Sequence, residues 1–379
     1  MSNVLSGLAA VLYSTGRVIP KEMTALIGVA GRDFDDKQVA KGGTVKVPVV
    51  PRMTVGSIPV PSMTFTAGGD RTPATIDFAL NQTAEVSWNL TGEEERALEN
   101  GGNAQEVLRQ TVENGWRGLR NQIEAYLGTV AKNAASRAVG VAGTTPFATN
   151  TDLLVDARKI LVDNGSQSKR HAVLNSAAEA NLLKIASLQK VNEIGSADTI
   201  REGRLGRLHG MDLSVSAGIA LHAKGTGAGY TAAATGFPIG TVSVPIITGV
   251  GTVLAGDVVT FAGDANNYVV KTGVAAPGTI VLQEPGLIQA LPAAAQALTI
   301  GNASTDNLVL SDTALKVVVR PILQPVAADI EQLVLADPDG SGISCLLLRK
   351  VGDQMASWYM RAVYDAFAPN PYEIAKLRG

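Results

Sequence analysis

The chain has 379 residues, nearly balanced charge (Lys+Arg 32, Asp+Glu 34) and 46% hydrophobic residues, enough for two or three packed units and a sizeable core. The balance excludes the basic excess that wrapping a nucleic acid requires, and an aromatic content of 4% argues against a stacking platform for bases or sugars. The one cysteine, Cys345, excludes an intrachain disulfide; within Ile343-Ser-Cys-Leu-Leu-Leu348 it reads as a packed thiol on a buried strand.

Residues 1–40 read as an N-terminal arm, with Val4, Leu5, Leu8, Val11 and Leu12 on one face of a short helix limited by Gly16 and Pro20. No positive charge precedes Val4–Tyr13 and no small-residue cleavage pattern follows, so the expectation is synthesis in the cytoplasm without a signal peptide. Residues 41–91 read as an extended β arm. Thr44-Val-Lys-Val-Pro-Val-Val-Pro51 and Thr72–Leu80 flank a polar hinge at Gly68-Gly-Asp-Arg71, and Ala84, Val86, Trp88 and Leu90 alternate with polar residues as in a half-buried strand. Thr91-Gly-Glu-Glu-Glu95 then sets a hydroxyl ahead of three carboxylates, a helix N-terminus that the macrodipole favours.

A long amphipathic helix is expected from Asn103 to Ala138. Its stripe is Leu108, Val112, Trp116, Leu119, Ile123, Leu127, Val130 and Ala134. At helical rise it would be about 54 Å long, a spine for an elongated subunit. Beyond it, Asn150-Thr-Asp152 caps a helix that Gly165 stops, His171–Asn175 is a strand, Ala177–Leu188 a helix and Gly210–Ala217 a strand.

Residues 223–304 change character, with five charged residues (Lys224, Asp257, Asp264, Lys271, Glu284) and no arginine. Short strands at Thr241–Ile247, Asp257–Phe261, Tyr268–Val270, Thr279–Leu282 and Ala297–Ile300 suggest a small inserted barrel or sandwich. The uncharged run Gly236–Gly256 is too rich in Gly and Pro for a membrane helix. Strands resume at Leu308–Leu310 and Ala314–Val319, and the C-terminal part reads as three strands, Ser341–Arg349, Met355–Tyr359 and Arg361–Phe367, packed on the spine.

Chemistry-bearing motifs are missing. His171, His209 and His222 have no metal-ligand spacing and suit structural roles. Gly225-Thr-Gly-Ala-Gly229 lacks the last glycine of a dinucleotide loop and reads as a linker, and Asp337-Pro-Asp-Gly-Ser-Gly342 lacks the later ligands of a calcium loop. No phosphate loop and no Gly-x-Ser-x-Gly elbow occurs, so the expectation is a non-enzyme without cofactors or metal.

The order of parts resembles the tailed-bacteriophage major capsid proteins of the Hong Kong 97 type, and most nearly the podovirus coat proteins with an inserted β-barrel. The local likeness lies in Thr44-Val-Lys-Val-Pro48, Leu119-Arg-Asn-Gln-Ile-Glu-Ala-Tyr-Leu127, and Gly210-Met-Asp-Leu-Ser-Val-Ser-Ala-Gly218 leading into His222. The resemblance implies an α+β fold divided into an N-terminal arm (1–40), an extended β loop (41–91), a peripheral domain with the spine (92–139 and 331–379), an axial α/β domain (140–222 and 305–330) and an inserted all-β domain (223–304). It implies a coat protein that assembles with itself into pentamers and hexamers of an icosahedral shell in the host cytoplasm. That shell would enclose double-stranded DNA without reading its sequence or touching a membrane. A scaffolding protein, a portal and a decoration protein are the further partners it implies. Arg52, Asp70, Arg71, Glu93, Glu94 and Glu95, on or beside the β arm, are candidate intersubunit ion-pair residues. The alternative is another repetitive structural protein, such as a bacterial encapsulating shell or a tail or baseplate subunit.

Overall fold

The computed structural model describes residues 24–34, 38–49, 74–100, 104–166, 168–190, 206–324, 330–336, 343–352 and 354–379. The chain begins with α1 (Leu26–Val29), β1 (Gly31–Phe34), the hairpin β2 (Thr44–Val49) and β3 (Ala74–Ala79), and β4 (Gln82–Thr91). Next come α2 (Gly92–Asn100), the spine α3 (Ala104–Ala134), β5 (Arg137–Val139), α4 (Asp152–Asp163), β6 (Arg170–Leu174), α5 (Ser176–Leu183) and α6 (Ala186–Gln189). A hairpin of β7 (Arg207–Leu208) and β8 (Met211–Val215) leads through β9 (Leu221–His222) into an all-β stretch. That stretch holds β10 (Thr231–Ala232), β11 (Ser243–Ile247), β12 (Val258–Phe261), β13 (Asn267–Thr272), β14 (Gly278–Leu282) and β15 (Leu298–Ile300). The chain closes with β16 (Ser304–Ser311), β17 (Lys316–Pro321), β18 (Ile330–Ala336), β19 (Ser344–Val351), β20 (Met355–Phe367) and β21 (Ile374–Arg378).

The strands form two large sheets. The smaller is built around β20: its first part lies between β4 and β19, and from Ala362 onward β17 replaces β19 on one side. The strands expected at Met355–Tyr359 and Arg361–Phe367 are therefore one 13-residue strand. No break falls between them because Arg361 stays in register with Glu85 and pairs with it at 2.6 Å, so the charged residue sits in the ladder. The larger sheet runs β10-β11-β14-β13-β5-β21-β16-β6-β8-β7, and β6, β16 and β21 are buried on both faces. Ala172, Leu174, Val309 and Leu377 pack with Leu154, Ala157, Leu161, Ala178 and Leu182 of α4 and α5, while Val173, Leu308, Leu310 and Ile374 join the core of the spine.

The spine is 31 residues long, about 46 Å at helical rise. It stops four residues short of the expected end because Arg137–Val139 leave the helix to pair with β13 and β21. Val112, Trp116, Leu119, Ile123 and Leu127 are buried as the periodicity requires, but the stripe finishes on Ala131 and Ala135, with Val130 and Ala134 half-buried. Two glycines let other elements approach closely: a Cβ on Gly115 would lie 2.7 Å from Met360 Sδ, and one on Gly128 would lie 2.5 Å from the carbonyl oxygen of Gly218.

β17 belongs to the sheet of β20, whereas β21 lies in the larger sheet between β5 and β16. The strand cluster of 231–300 closes upon itself in the order β10-β11-β14-β13-β12-β15, with Thr231 bridging back to Ala297 and Leu298 N donating to Tyr230 O at 2.8 Å, as in the small barrel expected from sequence. It has its own core around Tyr230, Val244, Phe261, Tyr268 and Leu282, but β13 pairs with β5, and Val258 and Val269 face the core of the spine. The expected helix Ala177–Leu188 is two helices, because Ile185 adopts an extended backbone (φ −66°, ψ 121°) between them. Cys345 is buried, as its strand context requires.

Candidate functional site

The β2–β3 hairpin presents unpaired strand edges among the described residues. Its strands pair with each other from Thr44↔Ala79 to Val49↔Ala74 and with no other strand among the described residues, which leaves an open backbone edge on each side. A two-stranded ribbon is marginal by itself. This one is tied down at its base, where Gly42 N donates to Leu80 O at 2.8 Å and Leu80 N to Gly43 O at 3.0 Å. Leu80 is fully buried against Val318 and Val363, and Phe78 packs on Phe367 with ring centroids 4.6 Å apart. The candidate residues Arg52, Asp70 and Arg71 lie outside the described residues.

Glu93, Glu94 and Glu95 occupy the first turn of α2. Thr91 and Glu94 form a reciprocal cap: Thr91 N donates to Glu94 Oε2 at 2.9 Å, and Glu94 N donates to Thr91 Oγ1 at 3.3 Å. Those bonds, the backbone one foremost, hold the Glu94 carboxyl below its usual range. Glu95 accepts from Arg349 Nη2 at 3.1 Å; the same guanidinium lies over the Trp358 ring, 5.4 Å from its centroid, and Trp358 stacks on its cross-strand partner Trp88. Glu94 and Glu95 are thus engaged within the chain, and Glu93 is exposed.

A second anchor was not foreseen from sequence. Glu124, 1% exposed in the middle of the spine, accepts from Ala25 N (2.8 Å), Leu26 N (2.7 Å), Ile27 N (2.9 Å) and Ser216 Oγ (2.6 Å). It does for α1 what an N-cap side chain does, from a different helix, since Ala25 at the cap position has no side chain able to accept. Arg32 Nε donates to Ile27 O at the other end of that turn. The root of the N-terminal arm is therefore bonded to the spine at a single carboxylate.

The third feature is a set of charges at the joint between the larger sheet and the all-β strands. Lys376 is fully buried; its Nζ donates to Gly256 O at 2.6 Å and to Asp306 Oδ2 at 3.0 Å, while Ser304 Oγ donates to Asp306 Oδ1. Burial pushes the Lys376 ammonium to a lower pKa, and the Asp306 carboxylate opposes that shift. His222 Nε2 lies 2.9 Å from Asp257 Oδ1, and Asp257 also accepts from Gly225 N and Leu254 N. His209, at the β7–β8 turn, contacts Thr151 Oγ1 at 2.9 Å, and Thr151 makes no side-chain cap on α4. These two histidines hold loops in place. Among the described residues no group of His, Cys, Asp and Glu is arranged to hold a metal ion, and no helix is long and apolar enough to cross a membrane.

No family model and no curated protein matches the chain. Among solved structures it is similar to "Mycobacterium phage Che8" (TM-score 0.50, 12% identity, covering 95% of this chain and 94% of that one). It is also similar to "Capsid structure of the Cyanophage P-SCSP1u" (TM-score 0.46, 12% identity, 95% and 90% covered) and to a virus-like particle from Pyrococcus furiosus (TM-score 0.43, 11% identity, 98% and 98% covered). The likeness to the Che8 chain establishes the fold: this is the mixed α+β architecture of that phage chain, the Hong Kong 97-type class expected from the sequence.

Proposed function

We propose that this chain is a major capsid protein that assembles with copies of itself into the icosahedral shell around a phage genome. The observation that carries the reading is the fold shared with a phage chain along 95% of this one. The architecture agrees in physical terms. A shell subunit needs a rigid strut, which the 31-residue spine supplies, and arms that gain their full hydrogen bonding only from neighbours, as the two open edges of β2–β3 would. The role is structural. Pentamers and hexamers, enclosed double-stranded DNA, a scaffolding protein, a portal and a decoration protein belong to this reading, as do location in the virion and assembly in the host cytoplasm. So does the assignment of Arg52, Asp70, Arg71 and Glu93 to contacts between subunits.

Electron microscopy of the purified full-length protein tests it. Closed round shells are the expected result, and rods, flat lattices or dispersed monomers overturn it. Deleting residues 55–72 should leave a folded protein by circular dichroism and remove the shells.

A further inference from the structure

We propose that the free edge of β4 receives the β2–β3 hairpin of a second copy of this chain, an inference that rests on the shell reading and names where one subunit's arm lands on the next. β4 is ten residues long and pairs with β20 throughout, from Gln82↔Tyr364 to Thr91↔Met355, without a shift of register; no described strand lies on its other side. The strands at the other open ends of the two large sheets are shorter: four residues in β1, two in β7 and seven in β18.

Edges that remain in water are blunted by proline, lysine, a bulge or short length. β4 has none of these. Its sequence, Gln-Thr-Ala-Glu-Val-Ser-Trp-Asn-Leu-Thr, carries one charge, Glu85, and Arg361 of β20 holds that carboxylate at 2.6 Å. The other exposed side chains, Thr83, Ser87, Asn89 and Thr91, are small and neutral. In an antiparallel edge strand about half of the backbone N–H and C=O groups point away from the ladder, and here nothing in the strand's own side chains guards them.

The hairpin offers matching unpaired groups, and the fold keeps them off its own β4. Leu80 and Asn81 join β3 to β4, a link short enough for a hairpin turn, but the chain runs straight on. Asn81 N donates to Asp365 Oδ2 at 3.3 Å and Phe78 packs on Phe367, so β3 continues the line of β4 along the end of β20. Leu80, buried against Val318 and Val363 and bonded to Gly42 and Gly43, fixes that direction. Two open edges that lie end to end in one chain can meet only between chains. Hairpin strands of about 20 Å fit within the roughly 33 Å of β4. Such a contact joins the arm of one copy to the sheet of the next; repeated by rotation, a head-to-tail contact closes rings, as the pentamers and hexamers of the shell reading require.

The test mixes full-length Lys46→Cys and Ser87→Cys proteins, both sites exposed and the native Cys345 buried, lets them assemble and treats them with a short bismaleimide. Thr44→Cys with Asn89→Cys is a second exposed pair, used where the first does not assemble. The two variants should be joined to each other in the assembled state and not when dispersed. In wild-type shells the amides of residues 82–91 that do not bond to β20 should exchange about tenfold more slowly, or slower still, than in the dispersed chain. Shells in which neither pair of variants is joined, or in which these amides exchange as in the dispersed chain, overturn this proposal and leave the shell reading standing. A wild-type chain that stays dispersed at every concentration overturns both.

Discussion

Replacing Glu124 by glutamine keeps the volume of the side chain and removes its ability to serve four donors. Oε1 accepts from Ala25 N, Leu26 N and Ser216 Oγ, and Oε2 accepts from Ile27 N. A glutamine offers one oxygen and one NH2 group, so whichever way it turns, an N–H donor faces another donor in a site that is 1% exposed. Hydrogen bonds to a charged acceptor contribute roughly 1.5–3 kcal/mol each, so losing one or two should cost about 2–5 kcal/mol. In a chain of this size that is a fall in melting temperature on the order of 3–6 °C. The assay pairs a melting curve with amide hydrogen exchange over residues 25–30. Exchange should accelerate there first, because the first N–H groups of α1 lose their acceptor while the spine keeps its own hydrogen bonds. Ser216→Ala, which removes one donor to the carboxylate and the acceptor of Gly218 N but leaves the carboxylate in place, should cost about 1.5–3 kcal/mol. A glutamine variant with wild-type melting and wild-type protection at Ala25–Ile27 would refute the idea that this carboxylate holds the root of the arm.

Trp116, 3% exposed in the main core, should cost about 3–5 kcal/mol when cut to alanine, read as a lower denaturant midpoint at unchanged slope; an unmoved midpoint would contradict its place under the spine. His171 is held below its ordinary pKa of 6.5, first by burial and then by Lys169, against the opposing pull of Asp212 and Asp312. Its folded form therefore binds fewer protons than its unfolded form between the lowered value and 6.5. Stability should be complete above that window and decline as the pH falls through it. His171→Gln should flatten this part of the melting-temperature profile, and an unchanged slope would show that another group titrates there.

The spine and most of the strands were legible because they obey simple periods. Val112, Trp116, Leu119, Ile123 and Leu127 recur at helical spacing, and they are the residues found buried. β6 and β16 read as strands through continuous apolar runs, since both of their faces are covered. What escaped was set by long-range pairing. β18 and β21 lack a distinctive alternation, and each exists because a distant strand offers its edge, β19 in one case and β5 and β16 in the other. Glu124 escaped because a lone carboxylate beside an apolar stripe looks like one more solvated charge. Only the fold brings Ala25–Ile27 and Ser216 to it. Lys376 carried a faint signal, a lysine on the same strand face as the fully buried Ile374, and its meaning came only with Asp306 and Gly256 O.

That lysine explains how a strand cluster with so little surface charge stays in one position on the rest of the molecule. The sheet passes from β13 to β5 without interruption, and Val258 and Val269 enter the core of the spine. Apolar contact of this kind is strong and tolerant of small slides, because one methyl can replace another. A buried ammonium is not tolerant. Lys376 Nζ is satisfied by Gly256 O on one side of the joint and Asp306 on the other, and a rotation that separated them would leave a charge desolvated and unpaired. Desolvation offsets most of the attraction in such a pair, so its main effect is on geometry, and its worth as a stabiliser is small. The cluster thus keeps its ions where they fix its orientation.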